Sequence, residues 1–231
     1  MAKYMIHAVP SRMWYVKGFL MPSMTAQGVA RGDIGVWVDK DNVGCLESCF
    51  RAFESVPDDT DGTWHLQDDV VISRRFRELT EQYNTGIVCG HAWYKHKDRI
   101  SAIGSVQPER MWFSFPCIRI PNYVARGCAR YYRETILTEE QFEPWRKARR
   151  YDDTVFDLYV RNKGIREQIT NLVPNLVAHI DYLIGGTVAN ERRIEPGEEP
   201  YFDEPETIEN LKRWLGGRQT DFAEVCRGDG R

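Results

Sequence analysis

Apolar residues in this chain come in short runs separated by polar turns, and the spacing inside each run predicts an element. Lys3 to Val9 (KYMIHAV) reads as a first strand. Pro10 stops its pairing because it has no N–H for a ladder, and Ser11-Arg12 opens a loop. Ile34 to Val38 (IGVWV) is a second strand ending in Asp39-Lys40-Asp41-Asn42. From Val43 to Val56, the residues Val43, Leu46, Cys49, Phe50 and Phe53 fall at helical spacing. Pro57 to Gly62 is a turn. Next comes Thr63 to Ile72 (TWHLQDDVVI), an apolar run interrupted by two adjacent acids. Ser73 suits the N-cap of a helix through Tyr83, with Phe76 and Leu79 inward. Thr85 to Cys89 is a further strand. This alternation of strands and helices predicts an α/β fold with a mostly parallel sheet flanked by helices.

The middle of the chain is less regular. His91 to Pro108 reads as loop, and Arg110 to Ile120 as β-rich but broken by Pro116. Asn122 to Arg133 fits strand or helix. Thr138-Glu139-Glu140-Gln141 resembles a capping box opening a helix to about Arg150. Asp152 to Arg161 is a second helix, capped by Asp152 or Asp153, with Val155, Leu158 and Tyr159 inward, and Asn162-Lys163-Gly164 ends it. Glu195 to Pro205 is acidic and Pro-rich, an exposed linker, and Thr207 to Gly216 is one short helix. We therefore expect a main domain over 1–190 and an acidic linker with a short helix over 191–231.

The acids in the middle of TWHLQDDVVI carry the most information. An unpaired charge in an apolar interior costs several kcal/mol or more, so a fully buried strand would not hold Asp68 and Asp69. Either the strand ends at a cleft and delivers acids there, or Asp68-Asp69 is a solvated turn. Adjacent carboxylates at a strand end suit a hard divalent cation, which takes oxygen ligands and shares them with substrate phosphates. Open parallel sheets bind ligands outside the carboxyl ends of their strands. Three predicted strand ends carry polar groups there: Pro10-Ser11-Arg12, Asp39-Lys40-Asp41 and Gln67-Asp68-Asp69.

Charge adds a second hint. The net charge is −3. Residues 1–69 carry 6 basic and 10 acidic side chains, residues 70–151 carry 15 and 8, and residues 152–231 carry 10 and 16. A basic middle between acidic ends suits a polyanionic ligand. Hydrophobic content of 42% with 28% charged residues is the profile of an ordinary globular protein. No apolar run is long enough to span a membrane, and residues 1–11 lack the layout of a secretion signal. The cysteines are scattered without a C-x-x-C pair, so the expected compartment is the reducing cytoplasm.

Several familiar chemistries are missing. The chain has no G-x-x-x-x-G-K-[ST], no G-x-G-x-x-G after the first strand and no H-E-x-x-H, and no G-x-S-x-G. What remains resembles a small GT-A-fold glycosyltransferase. Leu66-Gln67-Asp68-Asp69-Val70 is similar to the L-E-D-D-[VA] version of the D-x-D motif found in bacterial and phage families. Tyr151-Asp152-Asp153-Thr154-Val155-Phe156 looks like the acidic helix start that supplies the base in inverting members. Val173-Pro174-Asn175-Leu176-Val177-Ala178-His179 resembles the P-[SN]-L-V-x-H segment that follows it. The likeness spans roughly residues 3 to 186.

The resemblance implies transfer of a sugar from a nucleotide-diphosphate sugar, UDP-linked, to an acceptor hydroxyl with Mn²⁺ or Mg²⁺. It implies Pro10, Ser11 and Arg12 in the nucleotide loop, Asp39 on the base or ribose, and Gln67 and Asp68 near the donor. It implies Asp69 and His179 at the metal, and Asp152 or Asp153 as general base. Arg12, or Arg192 with Arg193, is the expected phosphate fork. The departure is Gln67, which stands where the family motif has an acid and which ligates a cation weakly. The acceptor is open. Arg74, Arg75, Trp93, Tyr94, Lys95, Lys97, Arg99, Trp112, Arg119, Tyr123, Arg126, Arg130 and Arg133 have the chemistry of a nucleic-acid surface, which suggests a hydroxymethylated base extruded from DNA. A saccharide acceptor fits equally. The rivals are a sugar-nucleotide nucleotidyltransferase, which would carry a Gly-rich loop after the first strand, and a non-enzymatic nucleic-acid-binding protein.

Overall fold

The structure is a computed structural model that describes residues 3–57, 61–91, 104–106, 115–184, 202 and 204–228. Nine strands are described: β1 (Tyr4–Ala8), β2 (Ile34–Val38), β3 (Gly62–Gln67), β4 (Val70–Ile72), β5 (Ile87–Cys89), β6 (Gly104–Val106), β7 (Cys117–Pro121), β8 (Ile169–Val173) and β9 (Val177–His179). The helices are α1 (Met13–Tyr15), α2 (Met21–Ala26), α3 (Cys45–Ser55), α4 (Phe76–Gln82), α5 (Asn122–Tyr131), α6 (Glu143–Ala148), α7 (Asp152–Asn162), α8 (Asp181–Ile184) and α9 (Pro205–Gly228).

Seven strands form one sheet in the order β2-β1-β3-β7-β5-β8-β6, and β4 pairs with β9 in a separate ribbon. β2, β1 and β3 run parallel, as do β5 and β8, while β7 and β6 run against them. The sheet is therefore mostly parallel and flanked by helices, as the pattern of runs predicts. Alternation sorts the side chains onto two faces. Tyr4, Ile6, Trp64 and Leu66 meet Tyr15, Leu20, Met24 and Phe76 on one face. Ile118 and Ile120 meet Phe50, Phe53, Val124 and Phe156 on the other, under α3, α5 and α7.

Several local expectations change. Residues 10–26 are helical rather than a loop: a 3₁₀ turn over Pro10–Arg12, α1, a π segment over Val16–Leu20, and α2. Pro10 sits at the first helical positions, where its missing N–H is no loss. The π segment inserts a residue, so the buried positions Tyr15, Val16, Leu20, Met21 and Met24 drift off a 3.6-residue period. Asn122 to Tyr131, left open between strand and helix, is α5. Ser73 is not a cap: α4 begins at Phe76, and the buried Ser73 hydroxyl makes no hydrogen bond. Its backbone N–H instead extends the β4–β9 ribbon by donating to the Leu176 carbonyl. The last helix is much longer than Thr207 to Gly216. Leu211 is buried, and Trp214 stacks on Trp14 with ring centroids 5.9 Å apart. Most of the predicted 91–108 loop lies outside the described residues, as does most of the 195–205 linker. No helix among the described residues is long and apolar enough to cross a membrane.

Candidate active site

The run TWHLQDDVVI is two strands, not one. β3 ends at Gln67 in the main sheet, the chain bends through Asp68-Asp69, and β4 leaves to pair with β9. The acids are buried, Asp68 at 2% and Asp69 at 7% exposure, so they are not a solvated turn. Their partner comes from the neighbouring strand. β1 and β3 are parallel, which puts Val9 to Arg12 beside Asp68-Asp69. The 3₁₀ turn then directs Arg12 onto the acids. Arg12 Nη2 lies 2.7 Å from Asp68 Oδ1, and Nη1 lies 2.6 Å from Asp69 Oδ2. The Val9 N–H donates to Asp68 Oδ2 at 2.7 Å. Arg12 is itself 7% exposed, so its guanidinium is committed to the acid pair rather than offered to a phosphate. Burial, with the charge of Asp69 behind it, pushes Asp68 up to about 7. Burial also works against ionisation of Asp69, but His179 and Arg12 outweigh it and hold that carboxyl down to about 2.

His179 reaches this place through the ribbon. Val70 pairs with His179 in the β4–β9 register, and the Ile180 N–H donates to the Asp69 carbonyl at 2.8 Å. His179 Nε2 stands 3.3 Å from Asp69 Oδ1, and Asp181 Oδ1 lies 3.9 Å from Nδ1. Asp69 Oδ1 is buried, and its contact with His179 Nε2 lies outside good hydrogen-bond geometry. These two donors fit a divalent cation: ligands at right angles about 2.1 Å from a metal stand about 3.0 Å apart. Among the described residues no three His, Cys, Asp or Glu side chains gather as a cation site. The protein thus offers two ligands, and the rest of the shell falls to water or substrate oxygens.

Asp39 follows β2 at the same rim, but its carboxylate turns inward. Oδ1 and Oδ2 accept the N–H groups of Val43 and Gly44 at 2.9 and 3.0 Å, fixing the loop that enters α3. A cleft of about 480 Å³ opens beside it, lined by Trp37, Asp39, Lys40, Asp41, Ser48 and Arg51 among others. Gln67 closes β3 on the α3 side of the sheet, in register with His7.

Asp152 and Asp153 open α7 next to the N-terminus of α3. The turn before them is held in an uncommon backbone state, with Arg149 and Tyr151 at φ 55° and 83°. Non-glycine residues rarely adopt that region, and such strain collects at functional sites. Arg149 is tied in place by its Nε–H to the Val43 carbonyl, and its own carbonyl accepts the Leu46 N–H and the Cys45 thiol. Asp153 Oδ1 accepts the Thr154 N–H at 2.7 Å. The N-cap residue is Tyr151, which makes no side-chain cap, and the Asp152 carboxylate meets the backbone N–H groups of Asp152 and Asp153 and the Cys45 thiol at the helix start. Burial, reinforced by Asp153, pushes Asp152 up to about 7, and burial raises Asp153 as well.

Arg192 and Arg193 lie outside the described residues, as do Trp93, Tyr94, Lys95, Lys97, Arg99 and Trp112 of the basic, aromatic set. Of the rest, Arg74 pairs with Glu206, Arg75 with Glu78, and Arg133 with Glu47 and Glu54. Arg119 donates to the Gly86 carbonyl from a buried position. These arginines are engaged by carboxylates or carbonyls and do not form a stripe of free cations. His7 Nε2 and His65 Nδ1 lie 2.8 Å apart beneath α3, beside Phe53, a pairing not anticipated from the sequence. Only strand alternation, which puts both on one face, points to it.

No family model matches the sequence, and no curated protein is significantly similar to it. Solved structures give loose likenesses. The galactosyltransferase LgtC, in complex with donor and acceptor sugar analogs, matches at 10% identity and a TM-score of 0.45, covering 89% of this chain and 94% of that one. A Drosophila β1,4-galactosyltransferase 7 mutant, in complex with manganese, UDP-Gal and xylobiose, matches at 13% and 0.44, covering 87% and 80%. A glucose-1-phosphate thymidylyltransferase of Bacillus anthracis matches at 12% and 0.39, covering 74% and 86%. At these scores the likenesses decide neither fold family nor activity, and the functional reading rests on the site itself.

Proposed function

We propose that this chain is a GT-A-like glycosyltransferase that moves a sugar from a nucleotide-diphosphate sugar, UDP-linked, to an acceptor hydroxyl. The observation that carries the reading is Asp69 Oδ1, a buried carboxylate oxygen whose polar neighbour is His179 Nε2 at 3.3 Å, outside good hydrogen-bond geometry, at the carboxyl rim of a mostly parallel sheet. Asp69 and His179 would hold Mn²⁺ or Mg²⁺, which supplies charge neutralisation for a departing diphosphate. Arg12 and the Val9 N–H keep Asp68 and Asp69 in place. The cleft beside Trp37 and Asp39 offers an aromatic wall and polar groups to the nucleoside. Asp152, raised toward neutrality, suits removal of the acceptor hydroxyl proton as that oxygen attacks. Asp153 adjusts Asp152 by its charge. In this reading residues 1–190 form the transferase domain, α9 packs onto it through Leu211 and Trp214, and the scattered thiols belong to a cytoplasmic protein.

The test incubates the protein with UDP-, GDP-, CDP- and TDP-linked sugars and Mn²⁺, and follows release of nucleotide. Saccharides and DNA containing hydroxymethylcytosine serve as acceptors. Cleavage of one donor, accelerated by one acceptor class, is expected. No cleavage of any donor with any acceptor contradicts the assignment.

A further inference from the structure

Asp69 and Asp68 would together make a strongly acidic cation site, yet Arg12 sits on both. One guanidinium nitrogen is 2.7 Å from Asp68 and the other 2.6 Å from Asp69, in a place where Arg12 is almost wholly buried. Asp68 has nothing left facing a metal: Oδ1 is on Arg12 and Oδ2 on the Val9 N–H. Asp69 keeps one oxygen for a ligand, and His179 is the other donor within reach. Cation affinity in oxygen sites follows ligand charge and ligand count. Among the described residues the count is two, a carboxylate and an imidazole that must be unprotonated to bind a metal, and the Arg12 charge stands against the carboxylate. In a buried place that charge is poorly screened.

We propose that Arg12 is a positioning residue that stops the Asp69–His179 pair from retaining a divalent cation by itself, so that the cation is held only together with the donor's diphosphate. The inference rests on the transferase reading above. The diphosphate supplies the missing oxygens and the missing negative charge, and the complex falls apart when the nucleotide leaves. Arg12 thus fixes which oxygen of Asp69 faces the metal and makes metal release follow product release.

Equilibrium dialysis against Mn²⁺, with protein-bound metal measured by atomic absorption, reads this without turnover. One arm holds the protein alone and the other adds UDP to both compartments. Retention should be roughly tenfold or more tighter with UDP. Equal retention in both arms overturns the role given to Arg12 while leaving the transferase reading intact. No retention in either arm overturns both the cation site and this inference. The Arg12→Gln variant should retain Mn²⁺ without UDP about tenfold better than the wild type, and unchanged retention by a folded variant overturns the proposal. If that variant does not fold, Arg12→Gln/Asp68→Asn, which removes the partner acid along with the guanidinium, is read the same way. UDP binding, followed separately by calorimetry, marks failure of the nucleotide reading itself.

Discussion

Asp69 and His179 come from segments about a hundred residues apart in the chain, yet the β4–β9 register places His179 Nε2 3.3 Å from Asp69 Oδ1. Removing either partner should cost cation-supported nucleotide binding. Asp69→Asn keeps the shape and its contact to Arg12 but loses the charge, so UDP affinity measured with Mn²⁺ should fall roughly tenfold or more. UDP affinity measured in a chelator should change little. Equal losses in both conditions would place Asp69 on the nucleotide itself.

Arg12 is the keystone of the acid pair, and its loss should show in stability. Breaking a buried ion pair by removing one partner costs about 3–5 kcal/mol, because the remaining charges are left uncompensated. Arg12→Met should lower the urea-unfolding free energy by about that amount. Arg12→Met/Asp68→Asn, which removes one charge of each sign, should recover a large part of the loss. A single variant as stable as the wild type would mean that the acids find other partners.

Asp152 ties rate to pH. Burial first, then Asp153, pushes its carboxyl up to about 7, and a general base works only when deprotonated. The kcat/KM should rise as pH increases through about 7, and Asp152→Asn should lose about 10²- to 10⁴-fold in kcat while still binding the donor. Stability runs the other way. A carboxyl whose native pKa exceeds its unfolded value favours folding at low pH, and that contribution is lost as pH rises through about 7. Asp152→Asn should therefore be more stable than the wild type at pH 8, with the difference shrinking at pH 5. A pH–rate profile with no rising limb near neutrality, or no stability gain at pH 8, argues against Asp152 as base.

The histidine pair opposes that trend. Burial lowers His7 to about 4, and burial together with the charge of His7 lowers His65 well below the usual imidazole value. A histidine with a depressed native pKa stabilises the fold above its unfolded value near 6.5 and loses that contribution as pH falls toward 4. His7→Gln, which keeps a hydrogen-bonding side chain beside His65, should lose less stability than the wild type between pH 7 and pH 4.5 in urea titrations. An identical loss would mean that other groups set the acid limit.

Which of these features the sequence discloses depends on how local their cause is. The strands around Ile6, Val36 and Leu66 and the helix carrying Leu46, Phe50 and Phe53 are legible because period and burial agree. The Asp68-Asp69 interruption is legible because charge inside an apolar run demands a reason. The helix from Met13 to Ala26 is hidden because a π segment shifts the phase of its buried positions. The engagement of Arg12 is hidden for another reason. Arg12 and Asp69 meet only because β1 and β3 are parallel neighbours, and a sequence shows that both are strand ends without showing which ends adjoin. Asp39 is similar: its place at the rim is legible, but its use by the Val43 and Gly44 N–H groups depends on how the loop closes.

Nucleotide recognition is read by a thermal-shift panel of UDP, GDP, CDP and TDP, each with and without Mn²⁺. A ligand that binds only the folded chain raises its midpoint by mass action. The proposed activity requires that one nucleotide, expected to be UDP, raises the midpoint, that Mn²⁺ enlarges the rise, and that Asp69→Asn abolishes the enlargement. No shift with any nucleotide, with or without Mn²⁺, would contradict it.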